Sequence, residues 1–204
     1  QELLTGKKRL SGFFGEWQCS CLGESAELST ATIPTKLIDA RHYVGTDNMV
    51  ADRGGVKENV ISLAYPNVRE YREGDILLSN IRPYLKKIWY ATRNGGCSND
   101  VLVIRSCDSE KLDSVFLYYL LSMDSFFDEI MANAVGTKMP RGDKAVIKNY
   151  AICYPKELSE QKVIAEILFN IDSEIEAMQQ KLAKYRQVKQ GMMQQLLTGK
   201  IRLV

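Results

Sequence analysis

Residues 159–199 read SEQKVIAEILFNIDSEIEAMQQKLAKYRQVKQGMMQQLLTG. Apolar side chains recur in this stretch at alternating steps of four and three residues, and Lys189 is the one polar member of the series. The spacing is the heptad pattern of a coiled coil over several repeats. The apolar seam that we predict to mediate dimerisation is Ile164, Leu168, Ile171, Ile175, Met178, Leu182, Tyr185, Met192 and Leu196.

Both ends of this helix have recognisable signals. Ser159 is the predicted N-cap, with Glu160 in the first turn, and Thr198-Gly199 is the predicted stop. At 1.5 Å per residue such a helix is on the order of 58 Å long. We therefore expect it to need a partner helix, because a small domain cannot cover a seam of that length.

The charges of this helix are polarised along its length. The first half is acidic apart from Lys162, and the second half carries only basic charges. Part of this arrangement complements the helix dipole. Antiparallel pairing with a second such helix would place acid opposite base along the whole length, so we predict an antiparallel partner, in a homodimer or with a second half-subunit.

A repeat links the two ends of the sequence. Residues 1–10, QELLTGKKRL, recur as residues 194–203, QQLLTGKIRL, with changes only at the second and eighth positions. Two distant copies of one segment are typical of a tandem protein, of which this chain would be one period. The sequence leaves open whether residues 1–14, a predicted stub and linker, dock on a partner's helix end or hang free.

The segment between the stub and the long helix predicts a small α+β domain. Short β-rich runs at 76–78, 88–90 and 101–104 are bounded by Gly-Asp or Gly-Gly turns and are predicted strands of one small sheet. Residues 112–134 have helical periodicity and predict one helix or two short ones on that sheet. Residues 150–154 predict a last strand that Pro155 stops.

The composition is that of an ordinary globular protein. The chain has 204 residues, of which 45% are hydrophobic and 25% charged. No apolar run is long enough for a membrane span and no signal segment begins the sequence, so we expect a cytoplasmic protein. The five cysteines have no C-x-x-C spacing, and we expect free thiols and no zinc site.

Two basic segments of the domain suit nucleic-acid binding. Residues 79–87 combine hydroxyl, amide, guanidinium, aromatic and ammonium groups, which can read base edges and contact phosphates. Residues 136–144 form a second predicted loop with three cations. The stretch from Ile76 to Asn99 contains no acidic residue, and it adds Arg93 and Asn99 to the set. The candidate DNA-binding residues are Ser79, Asn80, Arg82, Tyr84, Lys86, Lys87, Arg93, Asn99, Thr137, Lys138, Arg141 and Lys144.

Motifs of catalysis are absent from the sequence. There is no glycine-rich cofactor loop, no Asn/Asp-Pro-Pro-aromatic motif, no Walker lysine loop and no G-x-S-x-G. Glu160-Gln161-Lys162 matches the E-x-K fragment of metal-dependent nucleases, but it lies at a predicted helix start without the preceding Pro-Asp. We therefore predict a non-catalytic protein with no metal or cofactor.

The order of several motifs resembles a known family. These motifs are Gly74-Asp75-Ile76-Leu77-Leu78-Ser79, Ile81-Arg82-Pro83, Cys97-Ser98-Asn99-Asp100, Gly136-Thr137-Lys138-Met139-Pro140-Arg141 and Glu160-Gln161-Lys162-Val163-Ile164-Ala165. Together with the terminal repeat and the heptads, they are similar to the DNA-specificity subunit of type I restriction-modification systems. The resemblance covers essentially the whole chain.

The resemblance implies an organisation and a set of partners. Family members carry two target-recognition domains, each followed by a long helix, and this chain resembles one such half. It implies a recognition domain at 15–157, which reads one half of a bipartite site in double-stranded DNA, and a spacer helix at 158–204. Methyltransferase and restriction subunits are the implied partners. From the residues alone, a coiled-coil adaptor that binds proteins without DNA specificity is the alternative.

Overall fold

The computed structural model describes residues 2–57 and 65–198. Its contacts divide the chain into two compact units, residues 1–165 and 166–204. The α+β prediction is confirmed. The strands are β1 (Trp17–Cys21), β2 (Ala26–Ser29), β3 (Thr32–Pro34), β4 (Tyr43–Val44), β5 (Asn67–Tyr71), β6 (Ile76–Ser79), β7 (Ile88–Tyr90), β8 (Gly95–Cys97), β9 (Val101–Ser106) and β10 (Ala151–Pro155). The helices are α1 (Leu22–Ser25), α2 (Ser114–Leu121), α3 (Asp124–Ala132), α4 (Lys144–Asn149) and α5 (Leu158–Leu197).

The strands form three sheets instead of the one predicted from the sequence. The three predicted β-rich runs are confirmed as β6, β7 and β9, which are neighbours in a four-stranded antiparallel sheet of order β2-β9-β6-β7. A second sheet, β3-β5-β8-β4, is mixed because β4 and β8 run parallel. The predicted last strand, β10, pairs instead with β1.

A hydrophobic cluster joins the two four-stranded sheets. Both contribute to it: Leu77 and Val103 come from the first sheet, and Tyr71 and Cys97 from the second. The phenol of Tyr71 is buried there and donates a hydrogen bond to the His42 carbonyl at 2.7 Å. Burial raises the pKa of this phenol to about 12, so it stays a neutral donor. The core thus lies where the two sheets face each other.

The prediction that Gly95 and Gly96 form a turn is wrong. Gly95 and Gly96 lie inside β8 and are buried. A Cβ on Gly95 would lie 2.2 Å from the His42 carbonyl oxygen, and one on Gly96 would lie 2.4 Å from Val68 Cγ2. These positions are glycine because other chain segments approach the strand too closely for a side chain.

The helical prediction for residues 112–134 is confirmed as two short helices. Asp113 caps α2 by accepting a hydrogen bond from the Phe116 backbone N–H at 2.8 Å. Helix α2 contacts β7 and β9, and Phe126, Phe127 and Ile130 of α3 are buried. Helix α2 therefore packs on the sheet, as the apolar spacing indicated, whereas α3 packs on α2, α4 and the turn at 83–85.

One prediction about the cysteines is wrong. Cys19 and Cys153 occupy opposite positions of the β1–β10 ladder, with 4.1 Å between their Cα atoms, and form a disulfide. Sequence spacing gave no sign of it because the two residues are 134 positions apart and only strand pairing brings them together. Cys21, Cys97 and Cys107 are free, as expected.

The N-terminal stub packs on the globular unit. Leu4 is buried, and Gly6, with a φ of +69°, lies against the indole of Trp17, where an added Cβ would be 3.3 Å from the ring. The Arg9 guanidinium donates to both carboxylate oxygens of Glu160, at 2.8 and 2.9 Å. The stub therefore neither hangs free nor requires a partner's helix end.

Helix α5 is continuous over 40 residues. It begins at Leu158, so Ser159 is its second residue and not its N-cap, and the predicted stop at Gly199 falls outside the described residues. Gln161 is buried near its start and donates to the Lys111 and Pro155 carbonyls while accepting from the Asp113 N–H. The first turns of α5 thus belong to the globular unit.

The residues of the predicted seam fall into two groups, one buried in the globular unit and one beyond residue 165. Ile164 is 1% exposed in the globular core, so it cannot contribute to a dimer seam and its assignment is corrected. Leu168 and Leu196 are half-buried, and the remaining seam residues are 48% to 65% exposed. Those exposed residues are Ile171, Ile175, Met178, Leu182, Tyr185 and Met192. Among the described residues, no helix is long and apolar enough to cross a membrane.

Candidate nucleic-acid interface

The two basic loops predicted from the sequence are joined in the structure. The Arg82 N–H donates to the Pro140 carbonyl at 2.8 Å, and the Gly142 N–H donates to the Asn80 carbonyl at 3.0 Å. Ile81 and Arg141 also form an antiparallel bridge. We call residues 80–86 and 136–144 together the paired-loop surface. Two segments separated by the 49 residues from 87 to 135 therefore present one set of side chains.

Glycine permits this close approach. A Cβ on Gly142 would lie 2.8 Å from Ile130 Cγ2 and 3.0 Å from Asn80 Oδ1, so a side chain would push the loops apart. Asp143 then caps α4 by accepting from the Ala145 N–H at 2.7 Å. Lys144 is accordingly the first residue of a helix, which corrects the prediction that it ends a loop.

The first loop contains an unusual backbone conformation. Arg82 and Lys86 flank a short 3-10 turn, and both are left-handed, with φ values of 52° and 49°. This conformation costs about 1–2 kcal/mol for a residue with a side chain. Asp52 and Arg53 are left-handed as well, and their N–H groups donate to the Leu85 and Lys86 carbonyls. Backbone strain of this kind is typical of functional sites.

An ion cluster fixes the base of the first loop. Lys86 Nζ and the Arg53 guanidinium both bind the Asp124 carboxylate, and Arg53 also donates to the Ser122 carbonyl. These hydrogen bonds from Lys86 and Arg53 lower the pKa of Asp124 to about 2. Lys86 Nζ therefore already has an acidic partner at the protein surface, which weighs against its predicted role in contacting DNA.

Several other predicted contacts are engaged within the fold. Ser79 is buried and its hydroxyl donates to the Ile81 carbonyl, while Lys87 Nζ donates to the Thr46 carbonyl. Arg93 lies over the Trp89 ring at 5.7 Å and donates to the Arg41 carbonyl. A polar group of each of Ser79, Lys86, Lys87 and Arg93 already has a partner within the protein, so we rank these residues below the exposed candidates, and their contact with DNA stays a prediction.

Asn80 also points inward. Its backbone N–H donates to the Asp100 carbonyl, and its carbonyl accepts from Gly142. Its side-chain oxygen is shielded from solvent and, within residues 2–57 and 65–198, accepts no hydrogen bond. The backbone of Asn80 therefore holds the two loops together, and its predicted contact with a base stays a prediction.

The remaining candidates are exposed. Arg141 forms an exposed ion pair with Asp100 at 3.1 Å, whereas Arg82, Lys138 and Lys144 have no ion-pair partner in the part of the chain that the structure describes. The exposed members of the predicted set are Arg82, Tyr84, Asn99, Thr137, Lys138, Arg141 and Lys144. Unpaired cations beside an exposed aromatic ring and a hydroxyl can contact phosphates and stack on or hydrogen-bond to bases.

Comparison with known proteins identifies the family. Residues 15–185, well over half of the chain, match the family model described as the type I restriction modification DNA specificity domain. The chain belongs to this family. The resemblance seen in its motifs is thereby confirmed.

Curated members of the family align with about half of this chain. A segment of 95 residues, 47% of the chain, is 40% identical to the type I restriction enzyme MjaVIII specificity subunit of Methanocaldococcus jannaschii and covers 22% of that protein. Another segment, 48% of the chain, is 28% identical to the EcoDI specificity subunit of Escherichia coli and covers 21% of it. The aligned segments therefore span about a fifth of each relative.

Solved structures share the fold. The HsdS subunit from Thermoanaerobacter tengcongensis superposes with a TM-score of 0.63 at 24% identity over 87% of this chain and 47% of that one. The type I S subunit from M. genitalium gives a TM-score of 0.65 at 20% identity over 93% and 47%. This chain therefore spans about half the length of these two S subunits.

Sequence reasoning missed a second basic feature of the specificity domain. A groove of about 290 Å³ is lined by Arg69, Lys144 and Lys148, together with residues of β2 and β9. Lys144 and Lys148 lie one turn apart on α4, so recognition of that helix would have placed both ammonium groups on one face. Arg69, which also donates to the Val101 carbonyl, depends on strand pairing and has no local sequence signal.

The E-x-K match has a structural explanation. Glu160 is 0% exposed and is paired with Arg9, and Gln161 satisfies three backbone groups. Over the described ranges, no group of three or more His, Cys, Asp or Glu side chains could hold a metal ion. Glu160 and Gln161 therefore anchor the start of α5 in the globular unit.

Proposed function

We propose that this chain is a non-catalytic, sequence-specific DNA-binding component of a type I restriction-modification complex. Its globular unit reads one half of a bipartite target in double-stranded DNA. Helix α5 pairs with an antiparallel partner helix, sets the distance between the half-sites and docks the methyltransferase and restriction subunits. The protein acts in the cytoplasm, where the DNA and these partners are found.

The main support for this proposal is that backbone hydrogen bonds join the two basic loops. Hydrogen bonds between residues 80–82 and 140–142 fix the relative position of the backbone at Arg82 and Arg141, whose side chains are exposed. Arginine can bind guanine bidentately in the major groove and can also bind phosphate. A surface held rigid by backbone bonds loses little conformational entropy on binding, which favours readout of one sequence over another.

The exposed seam of α5 supports the dimeric part of the proposal. Ile175 and Leu182 remain about half exposed on a helix of 40 residues, or about 60 Å. An apolar stripe of this length is typical of a helix that packs on another helix. The acidic first half and basic second half favour the antiparallel arrangement, since it opposes unlike charges.

Selection from a random DNA library tests the proposal directly. The full chain is immobilised and bound duplexes are sequenced. We expect two short conserved blocks at fixed spacing, palindromic when both copies of the chain are identical. The double variant Arg82→Ala, Arg141→Ala should lose the enrichment, whereas Lys87→Ala, which removes an internally bonded ammonium group, should retain it.

The same experiment separates the proposal from a protein-interaction adaptor. A pool without sequence preference at moderate salt would contradict DNA specificity. If the chain then also failed to bind heparin, yet its α5 still associated, the adaptor function would be favoured. Retention of methyltransferase subunits by the chain tests the docking role independently of DNA.

A further inference from the structure

The repeated decapeptide has a defined binding site in its first copy. Within residues 2–10, Leu4 is buried, Gly6 packs on Trp17, and Arg9 binds Glu160 and the Gly15 carbonyl. The guanidinium carbon of Arg9 also lies 5.8 Å from the centroid of the Trp17 ring. We call Gly15, Trp17 and Glu160 the receptor of this segment.

The two copies differ only where the first copy makes no side-chain contact with the receptor. The substituted positions are Glu2, which corresponds to Gln195, and Lys8, which corresponds to Ile201, and both Glu2 and Lys8 are exposed. The buried or contacting residues Leu4, Gly6 and Arg9 are identical in the second copy, where they are Leu197, Gly199 and Arg202. The chemistry that the receptor recognises is therefore present twice in the chain.

The two copies share one hydrogen bond although their backbones differ, since residues 2–6 form turns and residues 194–197 are the end of α5. The Thr5 hydroxyl donates to the Glu2 carbonyl at 3.3 Å, and the Thr198 hydroxyl donates to the corresponding Gln195 carbonyl at 3.5 Å. Leu4 is 7% exposed, whereas Leu197 is 79% exposed. One copy is thus docked, and the other presents an uncovered leucine at the equivalent position.

The receptor itself requires a cationic ligand. The Glu160 side chain is 0% exposed, and Arg9 supplies its ion-pair partner among the described residues. A buried carboxylate is costly without a hydrogen-bonded cation, so the site selects a segment with arginine at the ninth position. A bidentate guanidinium meets this need better than lysine can.

We propose that residues 194–203 are a second docking segment, which binds the Gly15–Trp17–Glu160 receptor of another copy of this chain. Arg202 takes the place of Arg9 on Glu160, and Leu197 takes the place of Leu4. The exchange is close to neutral in energy because identical groups replace one another, as in domain swapping. This interaction joins the C-terminal segment of one copy to the globular unit of another and does not depend on recognition of DNA.

A labelled peptide tests the exchange. The peptide QQLLTGKIRLV, residues 194–204, is titrated by fluorescence anisotropy into the full chain carrying Arg9→Ala, which opens the receptor. We expect it to bind, and to bind the wild-type chain more weakly because residues 2–10 compete. The Arg202→Ala peptide should bind at least about tenfold more weakly. Adding Glu160→Gln to the Arg9→Ala chain should remove most of this difference between the peptides.

The outcomes decide the proposal. Equal binding of both peptides, or no binding of either to a folded Arg9→Ala chain, would overturn it. Should Arg9→Ala prevent folding, the titration uses Leu4→Ala, which loosens the first copy but keeps Glu160 paired. A rise in melting temperature with the wild-type peptide, and none with the Arg202→Ala peptide, would support the proposal in either background.

Discussion

The paired-loop surface and the seam of α5 respond differently to the fold around them. At the end of the first loop, two ammonium groups that seemed available are held by residues distant in sequence: Lys86 by Asp124, and Lys87 by Thr46. In α5 beyond residue 165, the predicted apolar stripe lies on the helix surface. A long helix creates its own environment from local sequence, whereas the environment of a loop is created by other parts of the chain. Loop residues therefore need the structure before they can be assigned a role.

The largest expected effect lies in the globular unit, where charges are used internally. Arg9→Ala would leave Glu160 buried without its cation and should lower the free energy of unfolding by about 3–5 kcal/mol. Urea denaturation followed by tryptophan fluorescence, from Trp17 beside Arg9 and from Trp89, measures this change. Lys156→Ala is the matched control, since its pair with Glu16 is exposed and should contribute little. Equal effects of the two substitutions would show that burial of Glu160 does not matter.

The second effect concerns the seam. Ile175→Asp places a carboxylate in the middle of the apolar stripe and should weaken self-association by at least about 100-fold, because an ionised group is costly in an apolar contact. Sedimentation velocity would show a monomer with unchanged helix content. Gln180→Asp, off the seam on the same helix, should remain a dimer. A dimer that persists with Ile175→Asp would mean that another surface mediates association.

A smaller effect is expected on the paired-loop surface. Arg141→Ala should weaken DNA binding and reduce the slope of log affinity against log salt by about one unit if Arg141 contacts a phosphate. Lys87→Ala should leave the slope unchanged, because Lys87 Nζ already binds the Thr46 carbonyl. If both substitutions change the slope equally, the hydrogen bond from Lys87 to the Thr46 carbonyl would not prevent Lys87 from contacting DNA.

The smallest effect comes from the ion cluster. Asp124→Asn removes the acid that holds Lys86 and Arg53, so non-specific DNA binding should become a few-fold tighter with a steeper salt dependence.

The pKa of Asp124 is about 2, below its ordinary value of 3.8, so the cluster stabilises the fold above pH 4 and loses that contribution as pH falls through about 2. The acid limb of a pH titration of stability should shift in Asp124→Asn. No change in either binding or the acid limb would show that the cluster has no effect.

Much of the architecture is predictable from local patterns. The heptads located α5, and β-rich runs located β6, β7 and β9. Features that depend on contacts between distant segments were missed. Gly95 and Gly96 resembled a turn because their close neighbours are distant in sequence, and the Cys19–Cys153 bond depends on β1 pairing with β10. In the candidate site, the basic character of both loops was predictable, whereas their mutual hydrogen bonds and the burial of Ser79 were not.

The pairing of β1 with β10 has a consequence for how the globular unit can change. The five residues of β1 lie opposite the five of β10, so the polypeptide enters and leaves the recognition unit at neighbouring points. Insertions, deletions or wholesale replacement between residues 22 and 150 would leave the two flanks in the same position, since domains with adjacent ends tolerate exchange. New DNA sequences could thus be recognised by substituting this interior alone, without altering the stub or the long helix.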